Sequence, residues 1–180
     1  EGFHPVQSLA VFTDAGDSLA LEPASTLSLA LDGPFAGGLD GEGDNLVLRA
    51  ARVLGDGGAK LILTKNLPVA SGIGGGSADA GAALRGLAKL WGTDADLAAI
   101  GAGVGSDIPA CVGSMPCFME GRGEILRAVE CMPRIALLLV NPGIAVPIKD
   151  VFAALKDRSG VEMQLPRGCF GDTADLLRFL

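Results

Sequence analysis

Apolar and polar residues form short runs along this chain, and the spacing within each run predicts an element. Gln7–Phe12 and Asp17–Glu22 read as two strands joined by a Thr-Asp-Ala-Gly turn, and Thr26–Leu31 as a third. Leu46–Leu54 repeats its apolar residues at helical spacing, with Asp44 or Asn45 placed to cap it. Ala59–Thr64 (AKLILT) is short and rich in branched residues, the mark of a strand. Leu67–Trp91 then opens with a proline, passes through a stretch in which four of the five residues from Gly72 to Gly76 are glycine, and ends in an alanine- and leucine-rich run without proline. That is a loop opening into a helix.

Downstream, Thr93–Ala102 reads as a helix with Asp94 and Asp96 in its first turn, Ala110–Val112 and Pro116–Met119 as short buried strands, and Glu120–Glu124 as a turn of solvated charges. Ile135–Val140 reads as a buried strand broken by Asn141-Pro142-Gly143, and Asp172–Leu180 as an amphipathic helix after a polar stretch, Asp157–Gly171. Ile135–Val140 is also the longest purely aliphatic run, far below the roughly 20 residues that span a bilayer. No membrane span is expected. The opening residues carry no basic, apolar leader pattern, so the cytoplasm is the expected location.

The net charge of −7 over 180 residues argues against a nucleic-acid partner, which would need many Lys and Arg contacts to phosphates. The four cysteines, Cys111, Cys117, Cys131 and Cys169, form no C-x-x-C pair and His4 is the single histidine, so neither a zinc site nor a disulfide framework is expected. All four read as reduced residues, mostly in the core.

The chemistry concentrates in the glycine stretch. Glycines let backbone approach a ligand closely, and the first N–H groups of a helix lack intrahelical partners and carry partial positive charge, a setting that suits phosphate. Gly76 is followed by Ser77, Ala78 and Asp79 instead of Lys-Ser or Lys-Thr, which excludes a Walker A loop, and Ser77 stands where a dinucleotide fingerprint needs its third glycine. A flexible surface turn is the plain alternative. The adjoining helix start favours anion binding.

PVASGIGGGSADAGAA, residues 68–83, resembles the second signature motif of the GHMP kinases, and the triple glycine is most similar to the methylerythritol kinases among them. Other segments match that group in order: Gly2-Phe3-His4, Asp44-Asn45-Leu46, Gly105-x-Asp107-x-Pro109, Gly121-x-Gly123-Glu124 and the Pro142-Gly143 segment. The resemblance implies an α+β fold: an N-terminal domain like ribosomal protein S5 domain 2 over residues 1–133, and a partial ferredoxin-like C-terminal domain over 134–180. It also implies ATP-dependent phosphorylation of the 2-hydroxyl of a cytidine diphosphate-linked methylerythritol in non-mevalonate isoprenoid biosynthesis.

On that resemblance Pro68, Gly72, Gly74, Gly75, Gly76 and Ser77 hold the ATP phosphates, with Ser77 placing Mg²⁺ as well, and Asn45 contacts adenine. Asp107 is the general base, while Phe3, His4 and Phe152 clamp the cytosine. Each has a plainer reading: Asn45 as a helix cap, Asp107 as a turn or capping carboxylate, Phe152 as helix core. Phe3 replaces the family's usual tyrosine, Ala78 its second serine, and Ile148 a common serine or threonine. The chain reads as a piece, since the family's lysine-bearing first strand and its third glycine motif find no match in it. A homoserine- or mevalonate-type kinase, or a non-catalytic nucleotide binder, stays open, and a monomer or weak homodimer is expected.

Overall fold

The computed structural model describes residues 6–39, 45–144, 146, 148–156, 163 and 170–180. The central layer is a three-stranded sheet of β2 (Ser18–Pro23), β4 (Ala59–Thr64) and β3 (Leu27–Asp32), in that order. β4 runs antiparallel to β2 and parallel to β3. The parallel step requires a crossover, and α1 (Leu46–Leu54) supplies it. Alternation does the rest: Leu19 and Leu21, Leu27, Leu29 and Leu31, and Ala59, Leu61 and Leu63 all project to one face, where they meet Val47 and Ala51 of α1 and Ala83 and Leu87 of α2 (Gly75–Trp91). Full burial of Leu61, Leu63 and Leu87 stabilises the fold by about 1.5–3 kcal/mol per side chain.

The second face of α2 buries Ala80 and Leu84 against Ala50 of α1, Val104 of α3 (Leu97–Val104) and Ile108 of α4 (Ile108–Gly113). A second sheet of β1 (Ser8–Ala10), β5 (Cys117–Glu120) and β6 (Ile125–Ala128) lies in the order β1-β5-β6. Its Phe118 and Leu9 share a cluster with Phe170 and with Leu176 and Phe179 of α6 (Thr173–Phe179). α5 spans Ile148–Ala154. Among the described residues no helix is long and apolar enough to cross a membrane.

Three expectations need correction. Ala110–Val112 is not a strand but the middle of α4, since Pro109 at a helix start and backbone bonds from Cys111 N–H to Asp107 O and Ser114 N–H to Ala110 O close helical turns. Ile135–Val140 forms no strand, and Leu138 and Val140 are 88% and 82% exposed; an extended apolar run needs a neighbouring strand to take its backbone bonds, and among the described residues none does. Thr13–Gly16 connects strands of two different sheets, since β1 pairs with β5 and β2 with β4. Cys131 is disulfide-bonded, so the reduced reading holds for buried Cys111 and Cys117.

Gly81 sets the distance between α2 and α4: a Cβ there would lie 2.9 Å from the Cys111 carbonyl carbon, which is backbone and cannot swing away. A Cβ at Gly86 would meet the Leu21 methyl at 2.7 Å, the end of a flexible side chain. Gly81→Ala should therefore lower the unfolding free energy by about 1–3 kcal/mol through overpacking. Gly86→Ala should lie between neutral and about 1 kcal/mol stabilising, through helix propensity. Urea unfolding of both variants checks this, and equal effects would undo the account of the α2–α4 contact.

Candidate functional site

After β4 the chain continues the ladder one residue further, with Lys65 N–H donating to Asp32 O at 2.7 Å, and then turns through Asn66-Leu67-Pro68 into the glycine loop. Gly72 and Gly74 take φ of +75° and +74°, the left-handed region that glycine enters without strain. Gly74 stands at the N-cap of α2, and no side chain caps that end. The first intrahelical bond there is Ala78 N–H to Gly74 O, at 2.9 Å. The amides of Gly75, Gly76 and Ser77 therefore present the positive end of a 17-residue helix without a capping oxygen of the protein's own.

These amides line a cavity of about 300 Å³, at the lower end for a ligand site. Every candidate residue of the loop lines it: Pro68, Gly72, Gly74, Gly75, Gly76 and Ser77. Asn45 and Asp107 line it too, so residues distant in sequence converge on one space. Asn45 caps α1, its Oδ1 accepting from Val47 N–H at 2.8 Å, which leaves its amide NH₂ as the group for a ligand. Asp44 lies outside the described residues.

Asp107 occupies the N-cap position of α4, yet its side chain makes no capping bond. It is exposed and accepts only from Ser106 Oγ, at 3.2 Å. The carboxylate therefore faces the cavity uncommitted to helix capping. What holds it in place is the seat of α4 against α2: Ile108 and Pro109 are buried, and Arg85 Nη1 donates to the carbonyls of Cys111 at 2.6 Å and Val112 at 3.2 Å.

Phe152 lies half-buried in α5 and does not line this cavity. Phe3 and His4 lie outside the described residues. Glu120, the last residue of β5 and not part of the turn, accepts from Arg127 Nη2 at 2.6 Å, and Glu124 accepts from Arg122 N–H, also at 2.6 Å.

Three residues of the site escaped the sequence reading. Lys65, Asp17 and Asp79 form a buried ionic group, their side chains 4%, 3% and 8% exposed. Lys65 Nζ donates to Asp17 Oδ2 and, at 2.8 Å, to Asp79 Oδ2. Burial alone would lower the Lys65 pKa, but the bonds to the two carboxylates outweigh it and hold the ammonium above its ordinary value. Asp79 is pushed up, first by burial and then by the neighbouring Asp17 carboxylate, against the lowering pull of the Lys65 ammonium. A signal was present: Lys65 continues the inward parity of Ala59, Leu61 and Leu63, and Asp79 precedes Ala83 and Leu87 on the inward stripe of α2. Charges at such positions need partners.

With this geometry established, comparison with known proteins places the chain. The model of the GHMP kinases N terminal domain matches residues 45–114, which include the loop, Asn45 and Asp107. The chain therefore carries a GHMP kinase N-terminal domain, and its fold is the mixed α/β fold of those kinases. It is 48% identical over 170 residues to the 4-diphosphocytidyl-2-C-methyl-D-erythritol kinase of Ruegeria pomeroyi, covering 93% of this chain and 61% of that one. To the enzyme of the same name from Cereibacter sphaeroides it is 46% identical over 181 residues, covering 100% of this chain and 65% of the relative. A crystal structure of 4-(cytidine 5'-diphospho)-2C-methyl-D-erythritol kinase superposes with a TM-score of 0.61 at 31% identity, covering 78% of this chain and 51% of that one. The chain thus spans less than two thirds of the length of these relatives.

The α2–α4 seat also governs a thiol. Burial, with the Asp107 charge added, pushes Cys111 up to about 11, so its reactive thiolate is scarce at pH 8 and grows only as pH rises. Iodoacetamide at pH 8 should leave Cys111 unmodified in the native protein and modify it after urea unfolding, read by peptide mass spectrometry. Native labelling at Cys111 would mean that α4 separates from α2.

Proposed function

We infer that this GHMP kinase domain belongs to an enzyme that phosphorylates the 2-hydroxyl of 4-diphosphocytidyl-2-C-methyl-D-erythritol with ATP. The observation that carries this reading is the convergence of the uncapped α2 N-terminus and the uncommitted Asp107 carboxylate on one cavity. A phosphate group and a hydroxyl to be deprotonated need such neighbours. The curated relatives bearing that enzyme's name add the substrate class.

In this mechanism the amides of Gly75, Gly76 and Ser77 bind the terminal phosphates, and the left-handed turns at Gly72 and Gly74 let the backbone wrap them. Pro68 fixes the entry to the loop and the Asn45 amide meets the adenine. Asp107 accepts the proton of the attacking hydroxyl as its oxygen bonds the γ-phosphorus and the bond to the ADP oxygen breaks. Among the described residues no three metal-binding side chains cluster, and Mg²⁺ fits such a site because it takes few protein ligands and completes its shell with water and phosphate. Ser77 Oγ is the group that would hold it, and bound Mg²⁺ would neutralise charge on the phosphates. Phe3, His4 and Phe152 are assigned to the cytosine.

We place the boundary between an N-terminal domain like ribosomal protein S5 domain 2 and a ferredoxin-like C-terminal part near residue 133, and expect a cytoplasmic monomer or weak homodimer.

Purified protein should release ADP with ATP, Mg²⁺ and 4-diphosphocytidyl-2-C-methyl-D-erythritol. Asp107→Asn should lower kcat about 10²- to 10⁴-fold while leaving KM for ATP near wild type. Because Asp107 is exposed and caps nothing, its thermal midpoint should stay within the change expected of about 0.5 kcal/mol. Turnover undiminished in Asp107→Asn would remove the base assignment. Nucleotide binding without turnover by wild type would point to a non-catalytic relative.

A further inference from the structure

The buried ionic group sits where four parts of the site meet. Asp17 precedes β2, and the Ser18–Thr64 pairing of the antiparallel ladder puts it opposite Lys65 at the end of β4. The Oδ1 of Asp17 accepts from the backbone N–H groups of Asn66 at 2.6 Å and Leu67 at 2.9 Å, the two residues that lead into Pro68. Its Oδ2 takes Lys65 Nζ, and the same Nζ reaches across to Asp79 in the first turns of α2. A Cβ at Gly75 would lie 3.8 Å from Asp17 Oδ2 and 3.9 Å from Lys65 Nζ, so the group lies directly beneath the first residue of the helix. Lys65 and Asp79 also line the glycine-loop cavity.

Both ends of the glycine loop are therefore tied to one ammonium, the entry through Asp17 and the exit through Asp79. Between them the loop contains four glycines and two left-handed glycine turns, with little conformational preference of its own. We propose that Lys65, Asp17 and Asp79 are positioning residues that hold the two ends of the glycine loop at the spacing required to bind the nucleotide phosphates. Asp17 bonds the loop backbone, Asp79 belongs to the helix start, and Lys65 joins the two. This rests on the nucleotide-binding reading of the cavity.

Two variants test the proposal, and each leaves Lys65 paired with one carboxylate so that the ammonium is not stranded. Asp79→Ala cuts the tie to α2, and Asp17→Ala cuts the tie to Asn66 and Leu67. Hydrogen–deuterium exchange of residues 66–76 in the ligand-free protein reads the loop, and calorimetric titration with a Mg²⁺-bound non-hydrolysable ATP analogue reads its consequence. Both are made well below each variant's thermal midpoint. The expected result is faster exchange across the loop and a Kd raised about tenfold or more. Asp79→Asn, which keeps an oxygen for Lys65, should recover most of the affinity.

A role confined to stability would lower the midpoint and leave exchange and Kd unchanged in the folded protein. That outcome overturns the proposal. If one alanine variant fails to fold, the other decides. Wild-type protein that binds no nucleotide would overturn the kinase reading and the nucleotide part of this proposal, while the exchange measurement still decides whether the ionic group orders the loop.

Discussion

A buried ammonium is tolerated in a protein only where its lost hydration is replaced, and Lys65 replaces it with two carboxylates that are themselves bonded. Asp17 gives one oxygen to the ammonium and the other to two backbone amides, and Asp79 comes from a helix whose neighbouring residues are packed in the core. The arrangement is one-sided in its energetics. Assembled, such a group contributes modestly, but loss of its cation would leave two buried carboxylates facing each other, a fault worth about 3–5 kcal/mol. The ends of β2 and β4, the loop and α2 are thereby held to one geometry.

From that junction α2 distributes position to the rest of the site. Its first turn carries the uncapped amides, its inward stripe settles on the leucines of the central sheet, and its Gly81–Arg85 edge receives α4. Asp107 has no strong bond of its own to fix it. It lies where it does because α4 is seated at the distance that Gly81 permits and is gripped at its other end by Arg85. Side chains far from any ligand thus set the separation between the helix amides and the carboxylate.

The elements legible in the sequence were those whose periodicity ran long enough to be unambiguous. Ala59–Thr64 and Leu46–Leu54 appear with the expected limits, and the loop-to-helix reading of Leu67–Trp91 holds with the helix starting at Gly75. Ala110–Val112 failed because three apolar residues cannot distinguish a strand from one turn of a buried helix. Ile135–Val140 failed because a strand is a relation between two segments, and hydropathy describes one. The Cys131 disulfide was invisible for the same reason, since chain spacing does not say which thiols the fold brings together. Convergence of Asn45 and Asp107 on the loop was implied by motif resemblance, whereas the ionic group was implied by parity alone: Asp17, Lys65 and Asp79 each extend an apolar stripe by one polar position.

The charge around the cavity bears on how an acidic protein would accept a polyphosphate. Among the described lining residues Lys65 is the one cation, and Asp79 already shares it with Asp17, while Asp107 adds an exposed negative charge. The positive end of α2 offers roughly half an elementary charge, and only at close range. These residues alone do not balance the terminal phosphates of ATP beside the Asp107 carboxylate. On the kinase reading, then, orientation would come from the backbone amides and neutralisation would fall to the Mg²⁺ proposed beside Ser77. That division of labour would explain why a loop with no lysine after its last glycine, on a chain of net charge −7, still suits a phosphate.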